Sequence, residues 1–220
     1  MCKFMKQIQI DCANTIAVRV DKSVSNADKD VLLIANVVPE HGPLYESRDL
    51  KDGIVILEEK LLQVLRDEDV HTLLCGDLNA RTGCAQPKLD DNYTLGSEED
   101  VIRSDRAERR SKDTVVNNFG KSLLNSCFMF DCVILNGCCN GNRSGEYTYV
   151  SPHGSSVIDY FPMSEDLFSA NHNMRVGDRA DSWHMPVELC WNTVAHSIGK
   201  PVATESRGER SAWSDEFKLT

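Results

Sequence analysis

No run in this chain approaches the ~18 consecutive apolar residues of a membrane-spanning helix, so a helical bilayer protein is excluded. The opening MCKFMKQIQIDC has no apolar signal core, and the expectation is an intracellular protein rather than a secreted one. Basic residues are outnumbered: 24 Lys and Arg stand against 34 Asp and Glu, a formal net charge of −10. That balance argues against a broad phosphate-gripping surface and leaves room for a local basic cleft. A Gly-rich phosphate loop of the Walker or dinucleotide type is missing, which speaks against a doubly wound nucleotide fold. There is no internal repeat and no low-complexity block. Nine cysteines are present, yet none forms a C-x-x-C pair: Cys2, Cys12, Cys75, Cys84, Cys127, Cys132, Cys138, Cys139 and Cys190 are scattered. Disulfide frameworks belong to short secreted chains, and zinc sites want thiolates paired at fixed spacing. The cysteines therefore read as reduced and largely buried, with a zinc-binding interaction module as the alternative.

What is present suits a soluble α/β domain. Of 220 residues, 41% are hydrophobic and 26% charged. A chain of this length buries roughly 70% of its unfolded surface and needs no covalent or metal staple. Residues 8–20 read as a pair of short strands, and VLLIANVV (31–38) as a buried strand stopped by Pro39. The spacing of Ile54, Leu57, Leu61, Leu62 and Leu65 predicts an amphipathic helix over 54–67. An apolar strand, HTLLCGD, then runs into a polar loop, and residues 84–112 read as a long loop. Helical spacing returns at 114–130, through Val115, Phe119, Leu123 and Leu124, followed by a strand at 132–137. Strands 146–150 and 156–161 flank a Pro-His-Gly turn as a hairpin, and 187–191 is a short strand. The expected organisation is one domain over residues 1–194, then a polar linker or frayed tail over 195–220. Helices alternate with strands first and strands dominate later, which points to a layered α/β sandwich.

Three polar loops follow apolar strands: Gly76-Asp77-Leu78-Asn79, Ile158-Asp159-Tyr160 and Ser182-Trp183-His184-Met185-Pro186. Strand ends in layered folds gather sites because a rigid scaffold holds the loops. A carboxylate, an amide and an imidazole in one cleft suit phosphodiester hydrolysis. The carboxylate deprotonates or orients a water, the amide donates to a phosphate oxygen, and the imidazole meets developing charge. A second carboxylate would fix the imidazole tautomer. Plainer readings stand beside these. Asp77 and Asn79 also fit an Asx turn, and a solitary histidine such as His184 is commonly structural. Asp159 lies in an apolar strand, where a carboxylate needs a partner of either kind.

GDLNARTG (76–83), Arg103-Ser104-Asp105, the N-x-F-G-K-S-L-L-x-S-C stretch (117–127), ILNG (134–137), GEYTYVSPHGSSVIDYF (145–161) and SWHMPVEL (182–189) occur in a recognisable order. In that order they resemble the endonuclease/exonuclease/phosphatase family, and more narrowly the endonuclease domain of non-LTR retrotransposons. The resemblance runs from about Val31 to Trp191. It implies a partial four-layer α/β sandwich, two packed β-sheets flanked by helices, with the amino-terminal strands lacking. It also implies Mg²⁺ or Mn²⁺ as cofactor, DNA as substrate and a nuclear location. By the same resemblance Asp77 activates the attacking water, Asn79 holds the scissile phosphate, Asp159 orients the histidine and His184 is that histidine. Asp77 and Asn79 are the implied metal contacts. The tail ESRGERSAWSDEF resembles the linker that leads into a reverse transcriptase, a domain this sequence does not contain.

Departures from the family pattern bear on activity. The closing Ser-Asp-His reads Ser182-Trp183-His184 here, and an indole N–H cannot coordinate a cation. Asp181 could substitute only if the loop shifted. A tyrosine that contacts phosphate in retroelement relatives is replaced by Val38 in Asn36-Val37-Val38-Pro39. The early Asn and metal-binding Glu of the family have no counterpart before Val31. The expectation is a nominally metal-dependent endonuclease with impaired activity. The alternative is a catalytically dead remnant that binds nucleic acid or a protein.

Overall fold

The computed structural model describes residues 3–12, 14–25, 27–38, 53–66, 68–87, 108–168, 172–179 and 181–190. The expected tail at 195–220 and the middle of the expected loop at 84–112 lie outside them.

In chain order the elements are β1 (Met5–Ile8), β2 (Thr15–Val20), a single turn α1 (Lys22–Ser25), β3 (Asp30–Asn36), α2 (Gly53–Leu65) and β4 (Val70–Asp77). There follow α3 (Asn118–Met129), β5 (Cys132–Ile134), β6 (Tyr149–Ser151), β7 (Gly154–Ser156), β8 (Asp159–Tyr160), β9 (Pro162–Ser164), β10 (Asn173–Val176) and β11 (Val187–Cys190). One seven-stranded sheet runs β1-β2-β3-β4-β9-β5, with β8 also paired to β4. Its pairs are antiparallel except β3 with β4, the two strands separated by α2. A parallel pair needs a long crossover, and α2 is the helix of that crossover. Two-stranded ribbons, β6-β7 and β10-β11, complete the strands among the described residues.

Both faces of the sheet are covered, which is why its central strands are apolar on both sides. Leu32, Ile34, Leu74 and Ile134 pack with Ile54, Leu57 and Leu61 of α2 and Leu123 and Cys127 of α3. Their neighbours Val31, Leu73, Val133 and Leu135 face the other way, onto Met163, Met174 and the β10-β11 residues Val187 and Leu189. The layered α/β expectation therefore stands. Four cysteines, Cys127, Cys132, Cys138 and Cys139, are buried, and all eight described cysteines are free thiols. Burial pushes Cys75 up to about 11 and Cys132 up to about 12, as expected for thiols that behave as small apolar groups.

Local details correct the sequence reading. Leu62 does not join the buried stripe of α2 and is exposed. Helix α3 starts later than its apolar spacing suggested, and Val115 and Val116 are exposed ahead of it. Asn117 decides the start: in extended conformation, its side-chain oxygen accepts from Gly120 N at 2.7 Å and caps the helix. The expected strand 156–161 is not continuous. β7 ends at Ser156, and the chain resumes pairing as β8, because Thr148 Oγ1 and the Asp113 carboxylate take the backbone N–H groups of residues 157–159. Strands β9 and β10 had no period-2 signal strong enough to be read.

Gly76 sets how closely β3 and β4 approach beside Asp77. Its φ is +132°, and a Cβ there would lie 1.9 Å from Asn36 O. Gly76→Ala is expected to lower stability by more than about 1 kcal/mol, since both strain and overlap oppose the methyl. A urea midpoint equal to that of the parent chain would contradict the account.

Candidate active site

The end of β4 delivers Asp77. Its strand pairs with β8 in a register that sets Asp77 opposite Asp159. Backbone bonds lock the end: Val38 N donates to Asp77 O at 2.8 Å, and Leu78 N to Ile158 O at 2.9 Å. The chain then turns. Asn79 N donates to Asp77 Oδ1 at 3.1 Å, which is the Asx turn the sequence allowed, and Asn79 adopts φ +48°. The turn uses only one carboxylate oxygen. The other, Oδ2, lies 3.7 Å from His184 Nε2, so the turn leaves that oxygen facing the imidazole.

Asp159 is held from behind. Its N–H and that of Ile158 both donate to Thr148 Oγ1 at 3.0 Å, and Asn136 Nδ2 donates to its carbonyl at 2.9 Å. Asn136 in turn receives Phe161 N at 3.0 Å on its side chain and the buried Arg109 Nε at 2.8 Å on its carbonyl. The Asp159 carboxylate faces His184 Nδ1 with both oxygens, at 3.1 and 3.2 Å. This geometry places the proton of the neutral imidazole on Nδ1 and leaves Nε2 as the free lone pair toward Asp77. Burial raises the Asp159 pKa above its ordinary value, against the opposing hydrogen bond from Thr148 and the attraction of His184.

His184 arrives on an ordered loop. Its N–H donates to Ser182 Oγ at 3.1 Å, and the flanking bonds Val150 N to Trp183 O and Met185 N to Thr148 O zip the loop onto the β6 side. Tyr149 stands edge-on to the imidazole with ring centroids 5.0 Å apart. Asp77, Asn79 and His184 line one open cleft of about 570 Å³, with Arg81, Asn117, Tyr149 and the β6-β7 turn around them. All four residues singled out in the sequence thus meet in one place.

Asn79 Nδ2 donates to Val38 O at 2.6 Å, which fixes the amide and leaves its Oδ1 and second N–H for other partners. Val38 is buried. Asp77, Asp159 and His184 each offer one donor atom, and these atoms lie within 4.8 Å of one another. Two carboxylate oxygens and an imidazole nitrogen fit a cation that takes mixed ligands, as Mn²⁺ does more readily than Mg²⁺. Among the described residues this is the one such cluster, and it contains no cysteine. Asp181 is exposed and is not part of it. No glutamate lines the cleft among the described residues.

Sequence reasoning missed the supports. Arg81 forms a two-pronged ion pair with the buried Asp113, at 2.7 and 2.8 Å, while Asp113 also accepts from Val115 N and Val157 N. Burial pushes the Asp113 pKa up, but Arg81 and the two N–H groups outweigh it and hold the carboxyl below its usual range. Asn117 receives Arg81 N at 2.9 Å and donates to Asn79 O at 3.2 Å. Arg81 lay inside the quoted motif and could have been weighed. Asp113 and Asn117 have the local bonds of a turn and a helix cap, to Val115 N and Gly120 N, but their support of the cleft, like that of Thr148, runs through partners far off in sequence.

No protein-family model matches this sequence, and no curated protein matches it. Solved structures are similar to it at low identity. The catalytic domain of APE2 from Xenopus laevis aligns at TM-score 0.48 and 14% identity, over 80% of this chain and 55% of that one. An AP endonuclease from Archaeoglobus fulgidus aligns at TM-score 0.45 and 11% identity, over 84% and 69%. An endonuclease/exonuclease/phosphatase family protein from Bacteroides thetaiotaomicron aligns at TM-score 0.39 and 12% identity, over 80% and 54%. The chain spans between 54% and 69% of the length of these three structures. No helix among the described residues is long and apolar enough to cross a membrane.

A buried acid with a raised pKa contributes stability that is complete below the ordinary value near 3.9 and is lost as pH rises through the raised one. Ionised Asp159 therefore costs stability at neutral pH. Asp159→Asn is expected to melt at or above the parent temperature at pH 7, with the difference shrinking below pH 4, and to lose about 10²- to 10⁴-fold in any cleavage rate. Thermal melts at both pH values check this, and a variant that melts well below the parent at pH 7 refutes it.

Proposed function

We propose that this cleft hydrolyses phosphodiester bonds in DNA with the help of a divalent cation. In this reading the chain derives from a non-LTR retrotransposon endonuclease and belongs with the endonuclease/exonuclease/phosphatase proteins. The observation that carries the reading is the alignment Asp159, His184, Asp77: a carboxylate fixes the imidazole, and the imidazole's free nitrogen faces a second carboxylate across open cleft.

Asp77 takes the proton of a water as the water oxygen bonds to phosphorus and the ester P–O bond breaks. The second N–H of Asn79 and a protonated His184, its charge balanced by Asp159, meet the phosphate oxygens as negative charge builds. Arg81 is spent on Asp113 and acts by holding the loop that carries Asn79. Asp77 and Asn79 would hold Mn²⁺ or Mg²⁺ through their side-chain oxygens, and the protonated His184 stays off the ion. When bound, such an ion polarises a phosphoryl oxygen, an effect of several kcal/mol.

Trp183 supports a reduced rate and keeps a second reading alive. The aspartate of the family pattern is absent there, and the cleft offers no glutamate in its place. Losing a metal ligand of that kind costs on the order of 10³-fold or more. At the limit the chain would be a binding module for nucleic acid or protein without turnover.

A plasmid-nicking assay with Mg²⁺ and with Mn²⁺ separates the two. Weak metal-dependent nicking is expected, higher with Mn²⁺, and abolished in both His184→Ala and Asp77→Ala. Nicking that survives in both variants would come from a contaminant. A folded chain that never nicks, by circular dichroism and assay together, leaves the binding module.

A further inference from the structure

The loop that brings His184 to the cleft carries a feature that hydrolysis does not use. Trp183 is 42% exposed, one residue before the histidine. The Arg179 guanidinium sits over its ring, 4.0 Å from the centroid, so the indole has a cation on one face and solvent-exposed surface besides. The ring is not on a loose loop. Its own carbonyl receives Val150 N at 2.9 Å, and the next residues are tied to Ser182 Oγ and Thr148 O. Its distance from the Asp159–His184 pair is therefore set by the same bonds that order the histidine. Charge around it is net acidic rather than basic, with Asp178 and Asp181 flanking Arg179.

We infer that Trp183 and Arg179 form a stacking platform for an unpaired nucleobase, and that this directs the cleft to single-stranded nucleic acid. The inference rests on the phosphodiesterase reading above for the chemistry at His184, but not for the binding itself. In a duplex the base faces are covered by their neighbours and only edges are offered, whereas a single strand presents faces that an indole can cover. The guanidinium backs the ring from its other face and leaves its outward N–H groups for the adjoining phosphate. With two aspartates beside one arginine, stacking supplies the preference and charge supplies little of it. The salt slope of binding should then be close to that of about one released counterion, roughly −0.7 for a single strand.

The test is fluorescence anisotropy of a labelled oligodeoxyadenylate, single-stranded or annealed to oligothymidylate, in EDTA so that nothing is cleaved. The full chain is compared with Trp183→Ala and Trp183→Phe. The single strand is expected to bind more tightly than the duplex. Trp183→Ala should weaken single-strand binding by about tenfold and leave duplex binding unchanged, and Trp183→Phe should keep most of the affinity. Equal affinity for both forms, or no loss in Trp183→Ala, overturns the platform. Rescue by phenylalanine separates a lost stacking face from a misfolded loop. If nicking depends on metal and on His184 while Trp183→Ala binds normally, the platform fails and the hydrolytic reading stands. If single-strand binding falls with Trp183 and no metal supports nicking, the hydrolytic reading fails and the platform stands.

Discussion

Four donors converge on one buried carboxylate. Asp113 takes both prongs of Arg81, the N–H of Val115 ahead of α3 and the N–H of Val157 ahead of β8. Those donors come from three separate stretches of chain, and each stretch carries part of the cleft: Asn79, Asn117 and Asp159. A buried carboxylate is tolerable only when fully paired, and losing a partner from such a site typically costs about 3–5 kcal/mol. The cleft wall therefore has one anchor whose own solvation requirement forces its neighbours together. Because the acid is held in its ionised form, that stabilisation is present above the ordinary carboxylate pKa and is lost as pH falls through the depressed value.

Above this anchor the geometry is a matter of register. Gly76 lets β3 and β4 approach without a side chain between them, and the β4-β8 pairing then sets Asp77 across from Asp159. Like charges directly opposite in a ladder repel. Here His184 stands against both carboxylates and offsets that repulsion whenever its ring is protonated. The arrangement costs stability and is kept together by the Thr148, Asn136 and Arg109 bonds behind it, as strained functional sites commonly are.

Much of this was legible in the sequence, for identifiable reasons. Runs such as VLLIAN and HTLLCG are apolar on both faces and read as buried strands from composition alone. The α2 stripe was visible as Ile54, Leu57 and Leu61 at helical spacing. Asp77 and Asn79 follow an apolar run and Asp159 interrupts one, but spacing alone left them and His184 with plainer readings, and it was the order of the motifs around them that singled out the four. What was hidden lies at long sequence separation. Nothing near Thr148 announces that its hydroxyl will stop β7 and seat Asp159, eleven residues on. Asn117 is of a helix-capping type, but nothing near it announces that the same side chain braces Asn79. Side chains that replace a ladder or a helical bond break the periodicity from which elements are read.

The zipper between the histidine loop and the β6 side has a kinetic meaning. Val150 N to Trp183 O and Met185 N to Thr148 O are backbone bonds, made by strand-like pairing of two segments far apart in the chain. Such bonds open and close as one cooperative unit rather than one at a time. The main chain that carries the imidazole is held while the ribbon stays closed, and the ribbon cannot fray without moving the imidazole. Any opening that exposes those two amide protons to solvent therefore also carries His184 away from Asp159.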